Sequence, residues 1–218
     1  MDKEIEKGLE DDYTYHFFFN HGLFDVLKHY EDLIEETESF LKSKIDAMKG
    51  DTGEEITDER FGKEMQYQTI FPVILWKSLF LSSYFLLENS LDEICKNLRK
   101  SNSYELSLKD MSGNGISRSS LYLKKVCHIT NSFQTQTWVE ITDFNKIRNV
   151  LVHSDGVFPK SNADVINVCA KYGQIKLSEY DDNLIIEFDN EFCKYSLSQI
   201  ENFITDIYKE MNGKRASH

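Results

Sequence analysis

A chain of 218 residues with 40% hydrophobic and 13% aromatic side chains, 2 prolines and 10 glycines can bury one sizeable core, which excludes a mainly disordered or collagen-like polymer. The formal charge of -12 argues against a surface that steers polyanions as a whole, but that charge is unevenly placed. Residues 1–66 carry 19 Asp/Glu against 8 Lys/Arg, residues 67–218 carry 18 against 17, and residues 96–125 are net +5, so a local basic patch stays open to an anionic partner.

The first residues, MDKEIEKGLEDD, place no basic stretch ahead of an apolar run, so a secretory leader is not expected. His16 and His21 bracket an aromatic FFFN stretch and read as packing or interface residues. Residues 23–48 then repeat apolar side chains at helical spacing (Leu23, Leu27, Ile34, Leu41), with Glu31, Asp32, Glu35 and Glu38 on a solvated face. A polar, turn-rich loop is expected over 50–60. The run from Ile70 to Leu87, IFPVILWKSLFLSSYFLL, approaches the length of a membrane span. Lys77, Ser78, Ser82 and Ser83 interrupt it, and Glu88 and Asp92 continue its pattern, so a buried central helix over about 69–100 is the preferred reading, with no membrane crossing.

A polar connector follows over 101–115. Its SGNG lacks the lysine and glycine spacing of a phosphate loop and reads as a turn. A short helix is expected over 117–128 and a longer one over 137–153, where Trp138, Ile141, Phe144, Ile147 and Leu151 form a stripe and Gly156 and Pro159 end it. After a linker, alternation over 174–180 and 184–189 around Asp181-Asp182-Asn183 predicts a β-hairpin. Ser198, with Glu201 three residues on, predicts the cap of a final helix. The fold class is therefore mainly α: one domain over 1–218, made of an acidic segment 1–20, a helical bundle over 20–155, and a small hairpin with a terminal helix over 156–218.

Cys95, Cys127, Cys169 and Cys193 are widely spaced and form no CxxC pair, which reads as reduced thiols in a cytoplasmic protein. None of the six histidines has a zinc-type spacing, and no GxSxG, Walker loop or GxGxxG is present, so neither metal nor cofactor is expected. One segment stands apart: Ile147-Arg148-Asn149-Val150-Leu151-Val152-His153. Five residues separate Arg148 from His153, which on an ideal helix is about 140° in azimuth and about 7.5 Å in height. They share a pocket only if Arg148 curls round the helix, or if two copies of the helix meet on a dimer axis. Arg, His and Asn suit phosphodiester cleavage without a metal. Imidazole exchanges a proton near neutrality, guanidinium forks onto phosphate oxygens, and the amide orients either partner. The same residue types also cap carbonyls at a helix C-terminus.

The segment from Phe144 to Gly156 resembles the Arg-x4–6-His motif of the HEPN superfamily (higher eukaryotes and prokaryotes nucleotide-binding domains) in its Arg-Asn-x-x-x-His form. Ser82 to Ile94, SSYFLLENSLDEI, is similar to the second major helix of these domains, with Glu88 at the position of a supporting acid. The resemblance covers roughly residues 20–155. It implies a helical bundle that forms a homodimer with its motifs facing each other. It also implies a metal-independent endoribonuclease of the toxin–antitoxin or antiviral-defence kind, with a possible antitoxin or regulatory protein as partner. Arg148, Asn149 and His153 would be catalytic, and Arg118, Lys124, Lys125 and Lys146 would guide the RNA. Some relatives have lost activity, so a non-catalytic binding or scaffold protein that dimerises through the motif helix is the alternative.

Overall fold

The computed structural model describes residues 22–50 and 58–215. The acidic segment 1–20, His16 and His21 lie outside the described residues, as does most of the loop expected over 50–60. Seven α-helices and three strands are described: α1 (Leu23–Gly50), α2 (Asp58–Met65), α3 (Phe71–Asn102), α4 (Gly115–Lys125), α5 (Gln136–Ser154), β1 (Val157–Pro159), α6 (Ala163–Cys169), β2 (Ile175–Tyr180), β3 (Asn183–Phe188) and α7 (Asn190–Arg215). The mainly helical fold with a small sheet and a terminal helix is the one the sequence predicts.

α3 organises the rest. Trp76, Phe80, Tyr84, Leu87, Leu91, Ile94 and Leu98 recur at three- and four-residue steps and are buried against its neighbours. An aromatic cluster ties α3 to α5, β3 and α7: Phe80 lies 6.2 Å from Phe144 and 5.4 Å from Phe192, and Phe192 lies 4.9 Å from Phe188. Each such pair contributes about 0.5–1.5 kcal/mol beyond the area it buries. Two of the buried cysteines donate to backbone carbonyls across the bundle, Cys95 to Ser119 and Cys193 to Trp76.

The expectation of a helix buried all round is corrected here. Ile74, Ser78, Ser82, Phe85 and Asn89 form a second stripe on α3 that is exposed, and Ile70 just before it and Phe61 and Met65 of α2 are exposed as well. By length and composition the run Phe61–Asn102 is apolar enough to cross a membrane, and one third of its most apolar window (33%) is buried. A run of apolar letters looks the same whether one side or all sides are covered; packing decides.

Three further boundaries differ from expectation. The linker after α5 contains β1 and α6, and β1 joins the predicted hairpin to give an antiparallel sheet of order β1-β3-β2. Val157 pairs with Ile185 and Phe158 with Leu184, and Pro159 ends the strand at the sheet edge, where its missing N–H costs no ladder bond. The hairpin turn is Asp181-Asp182, with Asp181 at φ 51°. The last helix begins at Asn190, eight residues before Ser198. Its cap is Asp189, whose Oδ1 accepts from the backbone N–H of Glu191 at 3.1 Å and of Phe192 at 3.4 Å.

Candidate active site

α5 is set in the bundle by both ends and by its core stripe. Thr135 caps it, Oγ1 accepting from the Trp138 N–H at 3.2 Å. Ile141, Phe144 and Ile147 are fully buried and Leu151 nearly so, which fixes the helix in rotation and brings Arg148 out at the seam with α3. At the C-terminus Asp155 and Gly156 take left-handed backbone, φ 52° and 89°, and the Gly156 N–H closes the last turn on the Val150 carbonyl at 3.2 Å. A side chain at Gly156 would also press on Leu151 at 3.2 Å. Lys77 of α3 donates to the Asp155 carbonyl at 2.8 Å, and the Ile186 N–H donates to the Gly156 carbonyl at 2.9 Å, so α3 and the sheet both hold the end of the motif helix.

Arg148 meets two of its predicted companions. Its Nη2 pairs with Glu88 Oε2 at 3.4 Å, and its Nη1 donates to Asn149 Oδ1 at 3.1 Å. The Arg148 side chain keeps 27% of its surface exposed and that of Glu88 16%, so the pair is half-buried. Burial pushes the Glu88 carboxyl above its ordinary range; the Arg148 charge opposes this and the Asp92 charge adds to it. Gly115, the first residue of α4, lies against the same carboxylate: a Cβ there would stand 2.4 Å from Glu88 Oε1. The backbone at φ 49° favours glycine here, and a Cβ would push the end of the Glu88 side chain aside.

His153 is exposed on the last turn of α5. Arg148 does not curl round the helix to bond His153: its guanidinium turns to Glu88 and Asn149.

The four residues expected to guide RNA have separate surroundings. Arg118 Nη2 pairs with Asp92 Oδ2 at 3.3 Å, Ser119 Oγ donates to the other Asp92 oxygen at 2.5 Å, and Arg118 Nε is buried without a partner. Lys146 pairs with Asp164 at 2.8 Å, and Lys124 sits over the Phe133 ring at 5.4 Å. Lys125 is exposed at the end of α4.

A second cleft, of about 420 Å³, is lined by Gln136, Glu140, Lys171, Tyr172, Gln174 and Tyr195. Glu140 precedes Arg148 by eight residues, about 12 Å along α5, so this cleft is not the motif site. Its polar groups are paired to one another: Tyr195 donates to Glu140 at 2.8 Å, and Lys171 and Tyr172 donate to the buried Asp143 at 2.6 and 3.2 Å. Among the described residues, no group of three or more His, Cys, Asp or Glu side chains is placed to share a metal ion.

Motif reasoning found Arg148, Asn149 and Glu88 but not Gly115, Tyr84 or Asp92, which join the site only through packing of α3, α4 and α5. The spacing Tyr84-x3-Glu88-x3-Asp92, one helical turn each, was the available signal. Comparisons with protein-family models, with curated proteins and with solved structures find no match to the chain.

Proposed function

We propose that the chain is a metal-independent endoribonuclease of the HEPN kind, acting as a homodimer in the cytoplasm, in a toxin or antiviral role. One observation supports the reading above others: Arg148 is held by Glu88 and Asn149 with part of its side chain exposed, on the helix whose last turn presents an exposed His153. In the dimer a second copy of α5 supplies the imidazole that one chain cannot place beside its own guanidinium. His153 takes the proton of a ribose 2′-hydroxyl as the 2′-oxygen bonds to phosphorus; the 5′-oxygen departs and takes up a proton from water, so one imidazole and one guanidinium suffice for a turnover. Products are a 2′,3′-cyclic phosphate and a 5′-hydroxyl. Arg148 forks onto the non-bridging oxygens, where negative charge grows, and Asn149 keeps the fork in register. The reaction needs a 2′-hydroxyl, so DNA is not cut.

Purified protein is expected to cleave RNA in EDTA and to leave cyclic or 3′-phosphate ends. His153→Ala is expected to abolish cleavage while remaining folded; undiminished cleavage by that variant removes His153 from the mechanism.

A different observation favours a binding or scaffold protein. The exposed apolar stripe of α2 and α3, with Phe61 at 64% and Phe85 at 59% exposure, is a surface suited to a protein partner. On that reading no condition yields cleavage, and Ile74→Asp or Phe85→Asp abolishes partner binding or self-association.

A further inference from the structure

The hydroxyl of Tyr84 has no hydrogen-bond partner, although the residue is 0% exposed. A buried O–H left unpaired bears the full cost of leaving water, and such a group calls for a partner in another state of the protein. Its neighbourhood names that partner. Tyr84 precedes Glu88 by one turn of α3, so the two side chains stand on the same face of the helix, and the Glu88 and Arg148 charges both act on the phenol. Burial first, and the Glu88 charge second, push the phenol far above its ordinary range, against the pull of Arg148. The phenol therefore stays protonated and remains a standing donor. Phe80 packs its ring at 6.4 Å, which limits where the O–H can point.

In the free chain Arg148 neutralises Glu88. Once a phosphate takes the guanidinium, Glu88 is left half-buried with its charge uncovered and Asp92 one turn further on. An O–H already in place would meet that need without rearranging the core. We propose that Tyr84 is a positioning residue: when a bound phosphate draws Arg148 outward, the Tyr84 hydroxyl donates to the Glu88 carboxylate that Arg148 has left. The inference rests on the reading of Arg148 as the phosphate-holding group.

Two measurements on the full chain test it. In thermal unfolding without ligand, Tyr84→Phe is expected to match or exceed the wild type, since it removes an unpaired hydroxyl. A midpoint several degrees lower would mean that the hydroxyl already has a partner and would overturn the proposal. In fluorescence anisotropy with a 2′-O-methylated oligoribonucleotide, which the 2′-hydroxyl reaction cannot cut, Tyr84→Phe is expected to bind about three- to tenfold more weakly, the worth of one hydrogen bond. In a Glu88→Gln background the same change is expected to have no effect, because a neutral carboxamide needs no substitute for Arg148. Wild-type affinity of Tyr84→Phe, or an equal loss in both backgrounds, overturns the role of Tyr84 alone. An Arg148→Ala variant that binds as well as the wild type overturns the phosphate-holding reading and this proposal together.

Discussion

Arg148 and Glu88 meet at 3.4 Å across 60 positions of sequence, and Glu88 in turn packs against the Cα of Gly115. Three elements, α5, α3 and the start of α4, thus converge on one half-buried ion pair. Gly115→Ala is expected to destabilise the fold by about 1–3 kcal/mol, through strained backbone and the push on Glu88. Denaturant unfolding measures the loss, and a double variant with Glu88→Ala should show less than the sum, since the contact is already gone.

Two carboxylates should give opposite pH dependences. Glu210 is buried enough to raise its carboxyl, but the N–H groups of Ser132, Thr130 and Asn131 and the Ser132 hydroxyl more than offset this and leave it lowered. Its stabilising effect is present above the ordinary carboxyl range and is lost as pH falls through the depressed value. The Glu88 carboxyl is raised, so its contribution is full below the ordinary range and is lost as pH rises to the folded value. Unfolding free energies against pH should therefore show Glu210→Gln converging on the wild type in acid, and the wild type losing ground to Glu88→Gln as pH rises.

Asp143 is 4% exposed and serves both Lys171 and Tyr172. Asp143→Ala leaves the Tyr172 hydroxyl without an acceptor in the core and is expected to cost about 2–4 kcal/mol. Asp143→Asn keeps an acceptor oxygen and should cost less. Equal losses in urea unfolding would show that the charge, not the acceptor, matters.

What could be read from sequence followed the range of the interactions involved. The stripe Ile141, Phe144, Ile147, Leu151 and the stop at Gly156 are local, and α5 lies within a residue of its expected bounds. The start of α7 was missed because Ser198 and Glu201 imitate a capping box in the middle of a helix, while the true cap, Asp189, follows a strand directly. β1 has three residues and a proline, too few for alternation to register. In the site, Arg148 and Asn149 are chain neighbours and Glu88 was matched by resemblance. Tyr84 and Asp92 stand one helical turn either side of Glu88, a spacing the sequence shows, but which face of α3 meets α5 and where Gly115 approaches depend on how three helices dock. The exposed half of α3 was concealed for the same reason: its outward stripe is as apolar as an inward one.

In the proposed mechanism two chains complete one site. Arg148→Ala and His153→Ala are each expected to be inactive alone, yet together to form a mixed dimer whose cleft holds one intact guanidinium and one intact imidazole. The direct measurement is RNA cleavage in EDTA by an equimolar mixture of the two variants, co-refolded so that chains exchange. Recovered cleavage with cyclic-phosphate ends is the predicted result. A mixture as inactive as either variant, beside an active wild type, or a wild type that cuts no RNA at all, would contradict it.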